Sequence, residues 1–124
     1  VNDSPGMPEY ASPAGRLAAE RADALARITG LSSDFDQIVA ANALVAVDDE
    51  HDPEGSSTAF ERAHVAALLA QARQRLAEVD RALERLAAGD YGRCDTCGRP
   101  IADARLEVRP AAATCVMCAE ARPR

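Results

Sequence analysis

Four cysteines stand between positions 94 and 118, and no others occur in the chain. They read Cys94-x2-Cys97, seventeen residues, then Cys115-x2-Cys118. Two residues between thiolates let both sulfurs of a knuckle face one point about 2.3 Å away. A second knuckle after a spacer of this length completes a tetrahedron, the pattern of a structural zinc site. Four sulfur ligands leave no position for water, so one Zn2+ held this way is structural rather than catalytic. Gly98 lets the backbone turn tightly after the first knuckle and aim amides at the sulfurs. Two disulfides would require an oxidising compartment, and a redox-active pair is the other common use of CxxC. Neither accounts for two knuckles in one short module, whereas zinc does.

Upstream, the apolar pattern is helical. Residues 1–11 carry proline, glycine and charge without an apolar period and read as a disordered tail. Ser12 followed by Pro13 is a helix start, with serine as N-cap and proline in the first turn. Leu17, Leu25, Ile28, Leu31, Phe35, Ile38, Val39 and Val45 then recur at mostly three- and four-residue steps. Near Gly30 the propensity drops, and Ser33 with Asp36 can cap a new helix; a kink there and one continuous helix are both open readings. Thr58 with Glu61 makes a capping box, and Gly89 is the matching stop. Between them Phe60, Val65, Leu68, Leu69, Ala72, Leu76, Val79, Leu83 and Leu86 form a near-heptad seam.

Two helices of similar length joined by a polar loop predict an all-α fold: an antiparallel helical hairpin, or coiled coil, over residues 12–89. The four-cysteine module over 90–124 sits at its base. The competing arrangement pairs the same stripes between chains; the loop and the capping module favour a monomer. The hairpin tip, residues 48–57, holds Asp48, Asp49, Glu50, Asp52 and Glu54 without a base, and Pro53 and Gly55 turn the chain. A solvated acidic loop is one reading. An acidic probe at the end of a rigid arm is the other. His51 among these acids reads as an exposed loop histidine or, less commonly, a metal ligand.

Charge and composition exclude several classes. The net charge is −6 and aromatic residues make up 3% of the chain, which argues against duplex DNA as the main partner and against a broad globular core. All fourteen basic residues are arginine. There is no signal-peptide or membrane-length apolar run, so a cytoplasmic protein with reduced thiols and no membrane association is expected. No nucleophile–base–acid set is visible and the metal site is closed, so the chain is not expected to be an enzyme.

Cys94, Asp95, Cys97, Ile101, Arg105, Pro110, Cys115 and Cys118, with the run Arg105-Leu106-Glu107-Val108-Arg109-Pro110, closely resemble the zinc finger of the DksA/TraR family. Proteins of that family bind RNA polymerase rather than DNA. The resemblance implies a coiled coil that enters the secondary channel of the polymerase with an acidic DxxDxA tip near the catalytic centre. With Asp52 as the first aspartate of that motif, Gly55 and Ser57 replace the second aspartate and the alanine; one residue earlier, His51 and Glu54 take the acidic positions. Arg105 and Arg109 become candidate alarmone or polymerase contacts, Arg109 matching a family position that helps bind ppGpp. Ala119 and Glu78 stand where the family has basic residues, and the loss of two positive charges weakens a polyphosphate site.

Three functions are therefore compared. The leading one is a transcription regulator that binds RNA polymerase directly and inserts the acidic-tipped hairpin toward the secondary channel. A Gre-like aid to transcript cleavage keeps the docking but uses the tip carboxylates to position a second magnesium. A zinc-stapled adaptor or redox-sensing module would have a different partner.

Overall fold

The computed structural model describes residues 12–45 and 53–121. The tail at 1–11, the tip residues Asp48, Asp49, Glu50, His51 and Asp52, and the terminal Arg122 and Arg124 lie outside the described residues. Of Glu54 only the helical backbone is described.

Four helices follow one another: α1 Pro13–Val45, α2 Pro53–Ala88, α3 Asp103–Val108 and α4 Val116–Ala121. Among the described residues there is no β-strand, only an isolated antiparallel bridge between Arg93 and Pro100. The fold is the all-α antiparallel hairpin, with the four-cysteine module packed at the base. No helix among the described residues is long and apolar enough to cross a membrane.

Helix α1 starts where its residues dictate. Ser12 Oγ accepts the Gly15 amide at 3.0 Å, and the Ser12 carbonyl accepts the Arg16 amide at 2.8 Å. The helix then runs unbroken through Gly30. Glycine costs about 1 kcal/mol in a helix interior, too little to divide one this long. Thr29 Oγ1 donates to the Leu25 carbonyl at 3.0 Å, and Ser33 Oγ accepts from Gln37 Nε2 at 3.4 Å, so Ser33 does not cap a second helix.

Helix α2 begins at Pro53, five residues before the expected capping box, and Thr58 is inside it. Proline needs no amide partner in the first turn and has its φ already set for a helix. Residues 53–57 are thus helical rather than part of the turn. At the other end Gly89 adopts φ 85°, its amide bonds to Leu86 O at 3.2 Å, and the Asp90 amide bonds to Arg85 O at 2.8 Å. These paired bonds are the Schellman closure that glycine makes possible.

Two compact units divide the chain, and each contains part of both long helices. The base unit takes α1 as far as Ala22 and everything from Leu76 onward. Its hairpin core is Leu17, Val79 and Ala82, all fully buried, with Leu83, Leu86, Tyr91 and Ala111 packed against them. Arg21 Nε meets Asp80 Oδ1 at 2.7 Å across the two helices, which sets the start of α1 beside the end of α2. The arm unit is Asp23–Arg75, and the buried side chains among its described residues are small: Ala24, Val65 and Ala72.

A heptad of covered positions runs along each helix, with fully buried Ala82 beside it one residue before Leu83. On α1 it marks Leu17, Arg21, Ala24, Ile28, Leu31, Phe35 and Ile38; on α2 it marks Val65, Leu69, Ala72, Leu76, Val79, Leu83 and Leu86. Leu25 and Val39, each 40% exposed, follow a seam position by one residue and are rotated about 100° away from it. Phe60 is 81% exposed and also off the seam. Ala72 is buried as its place in the seam predicts, and Ala24 and Ala82 are buried where the apolar pattern of larger residues gave no sign of them.

Candidate metal centre

The first knuckle is built on a short loop that leaves α2 through Tyr91 and Gly92. Gly92 has φ 86°, and a Cβ there would lie 3.5 Å from Leu106 Cδ1. Its carbonyl accepts the Ile101 amide at 2.7 Å, and the Cys94 amide donates to Arg99 O at 2.8 Å, which folds residues 92–101 back on themselves. Gly98 turns the chain with φ 77° as expected. The Thr96 amide reaches Cys94 Sγ at 3.4 Å, while Gly98 itself donates to the Cys94 carbonyl at 3.0 Å.

The second knuckle is half loop and half helix. Cys115 precedes α4 and Cys118 lies in its first turn. The Cys118 amide points at Cys115 Sγ at 3.5 Å, and the Ala119 amide bonds to Cys115 O at 3.0 Å. Backbone donors are therefore directed at the leading sulfur of each knuckle, which favours the thiolate a metal requires.

All four cysteines are free, and their sulfurs lie within 4.8 Å of one another. Cys97 Sγ and Cys115 Sγ, from different knuckles, are 3.9 Å apart. A tetrahedron with zinc–sulfur bonds of about 2.3 Å has edges of about 3.8 Å. The donor set and its spacing thus fit one tetrahedral zinc and leave no open position. Without metal, backbone hydrogen bonds from Cys97 and Cys115 lower the Cys94 pKa to about 6. Hydrogen bonds that the Cys118 thiol donates to the Cys115 and Cys94 sulfurs raise its pKa to about 12. Loading zinc must release the protons that such a crowded tetrad retains.

Around the cluster, Cys94 is buried with Ile101, Leu106 and Ala112, and Tyr91 packs on this group as well as on the hairpin core. Burial raises the Tyr91 pKa against the opposing pull of Arg16. Its hydroxyl donates to Pro110 O at 2.7 Å. Arg105 is half-buried and its Nε donates to Thr114 O at 2.9 Å, so this guanidinium holds the finger's own backbone. Arg109 is exposed, and its amide closes α3 on Arg105 O at 2.7 Å. Ala119 is exposed on α4 and Glu78 is half-buried on α2. The structure brings the four cysteines together; it does not describe the side chains of the acidic tip. Two contributors to the centre escaped the sequence reading, Tyr91 and Arg85, the latter donating from α2 to Ala112 O at 3.3 Å. The one hint was a tyrosine three residues before Cys94 in a chain with few aromatics.

Residues 89–124 match the prokaryotic dksA/traR C4-type zinc finger. Over 52 residues the chain is 44% identical to the RNA polymerase-binding transcription factor DksA of Caulobacter vibrioides strain NA1000 / CB15N, covering 42% of this chain and 34% of that protein. The factor of the same name from Haemophilus influenzae is 39% identical over 46 residues, 37% of this chain and 32% of its own length. The match therefore spans about a third of the length of these curated relatives. The fold is similar to that of transcription factor DksA2 from Pseudomonas aeruginosa, with a TM-score of 0.54 and 28% identity, over 93% of this chain and 89% of that one.

Proposed function

We propose, from the premise that this chain belongs to the DksA/TraR family of C4-type zinc-finger proteins, that it regulates transcription by binding RNA polymerase directly. The observation that carries this reading is the closed four-thiol cluster fixed against the base of a two-helix hairpin. A closed metal site supplies folding energy and no reaction. The working part of such a molecule is then its surface. The hairpin of residues 12–89 is the probe, and the module of residues 90–124 is its anchored foot.

In this reading the protein is a cytoplasmic monomer whose foot and hairpin base make most of the contact with polymerase. The hairpin points its tip into the secondary channel, where Asp48, Asp49, Glu50, Asp52 and Glu54 act as a concentrated negative charge. A confined channel screens charge poorly, so these carboxylates are felt there far more than in open solvent. Exposed Arg109 is the remaining candidate contact for ppGpp. Neutral Ala119 and acidic Glu78 reduce the attraction of that surface for a polyphosphate, and Arg105 already bonds Thr114 O.

Affinity purification of polymerase with the tagged full chain tests the docking, and single-round transcription tests the tip. Asp52→Asn, and a second variant neutralising Asp48, Asp49, Glu50 and Glu54 together, should bind polymerase nearly as well as wild type while changing the transcriptional effect. If both variants bind and act like wild type, the loop is only a solvated turn. Loss of binding in proportion to activity would make the tip an anchor. The five acids within 48–54 also favour a second reading, assistance to transcript cleavage, which stalled-complex cleavage assays with the same variants distinguish. Failure to capture polymerase would point to an adaptor or redox-sensing module with another partner.

A further inference from the structure

The segment Pro110–Thr114, which delivers Cys115 to the metal cluster, is held on the carbonyls of alternate residues by three side chains. Tyr91 Oη donates to Pro110 O at 2.7 Å, Arg85 Nη2 to Ala112 O at 3.3 Å and Arg105 Nε to Thr114 O at 2.9 Å. The carbonyl between the last two, that of Ala113, accepts the amide of Asp95, inside the first knuckle, at 2.8 Å. One short strut therefore joins the end of α2 to both knuckles. None of the three donors is a metal ligand. Arg85 belongs to the hairpin, since its own carbonyl closes the Schellman turn of α2. Tyr91 packs on the hairpin core and on the cluster core alike.

We infer that Arg85 and Tyr91 are positioning residues for the metal centre, and that through them zinc binding and the packing of the hairpin base are one coupled equilibrium. The finger's buried cluster of Cys94, Ile101, Leu106 and Ala112, with Pro110 and Thr114 buried beside it, is small, and it holds the strut firmly in place once the cysteines are tied together. The three carbonyl bonds then form fully only when the knuckles are joined. Whatever those bonds contribute to the base, they contribute equally to metal affinity, because linkage between two binding events is reciprocal. Arg85 shows why the coupling matters at its own end. Its Nε is buried with no hydrogen-bond partner, so loss of the Ala112 carbonyl would leave this guanidinium still less satisfied inside the base. The device requires no particular partner protein and is tested without one.

The test uses the full chain and Zn2+ alone. Tyr91→Phe removes one hydroxyl and keeps the ring; by the usual worth of a single hydrogen bond, zinc affinity in competition with a chromophoric chelator should fall about fivefold. Arg85→Met, which removes a charged donor, should lower it about tenfold or more, with part recovered in Arg85→Lys. With Co2+ in place of zinc, the thiolate charge-transfer and ligand-field bands should change in both variants, because Cys115 is the residue being aimed. Withdrawing zinc from the wild type should speed amide exchange in Pro13–Ala22 and Leu76–Ala88 and leave Asp23–Arg75 unchanged. Wild-type zinc affinity and unaltered cobalt spectra in Tyr91→Phe and Arg85→Met would overturn the inference, even with lowered melting temperatures. So would exchange at the base that is indifferent to zinc.

Discussion

The base and the arm of the hairpin are built from the same two helices, yet they are held in different ways. In the base, Leu17 and Val79 are completely buried, Arg21 pairs with Asp80, and side chains of α2 and the following turn bond to the finger backbone. Among the described residues of the arm, Ala24, Val65 and Ala72 are buried, while Ile28, Leu31, Phe35, Leu68 and Leu69 are half-covered. The base is fixed by individual contacts that differ from residue to residue. Repetition holds the arm: the same heptad spacing brings small or half-buried side chains to one seam, turn after turn. A metal centre demands the first kind of construction, because four sulfurs must agree to a few tenths of an ångström. A long extension needs only the second.

The largest effect expected from that difference comes from the metal ligands. Cys94→Ser should abolish the content of about one zinc per chain and unfold the finger, since metal binding supplies the folding energy of such modules. Much of the far-ultraviolet helical signal should survive, because the heptad seam of the arm contains no ligand. Metal analysis with circular dichroism in reducing buffer checks both halves. A finger still ordered without zinc would remove the distinction between the two regions.

An intermediate effect separates the two seams. Leu17→Ala empties a fully buried site in the base and should cost about 2–5 kcal/mol. Val65→Ala removes only two methyl carbons from a site in the arm, and by area it should cost about 1–2 kcal/mol. Urea unfolding midpoints of the two variants measure the contrast. Equal losses would mean that the arm is packed as tightly as the base.

Much of this architecture was legible in the order of residues, and the failures share a cause. Cysteine spacing identified the four ligands because a metal imposes its own local geometry, which a two-residue knuckle records directly. Periodicity identified two paired helices for the same kind of reason. The seam passes beside Leu25, Val39 and Phe60 rather than through them, because size alone does not select the buried positions: Ala24 and Ala82 are buried while these three are exposed. In the sequence Pro53 reads as a turn residue, yet it opens α2, because proline starts helices as readily as it ends them. Contacts such as Arg85 with Ala112 O lie outside any sequence pattern, since a side chain bonding to a distant carbonyl leaves no period and requires no particular residue at the acceptor.

The smallest effect is also the one whose sign reverses between the two regions. Gly30 lies inside α1 in the arm, exposed, and a Cβ added there would have nothing within 4 Å. Alanine at this position meets no obstacle and narrows the unfolded ensemble, so Gly30→Ala should stabilise the chain by about 0.5–1 kcal/mol. Gly89 in the base is equally open, again with nothing within 4 Å of an added Cβ, but its φ is 85°. An L-side chain there costs roughly 1–2 kcal/mol whatever the space around it. Gly89→Ala should therefore destabilise, and it should do so by loosening the Schellman turn that sends the chain from α2 toward Cys94. Both variants are measured in zinc-saturated buffer by the urea midpoint of helical signal. If Gly30→Ala lowers the midpoint, the glycine serves a bend that an unbroken α1 has no use for. If Gly89→Ala raises it, the turn closes without its left-handed residue, and the base is less exacting than its contacts imply.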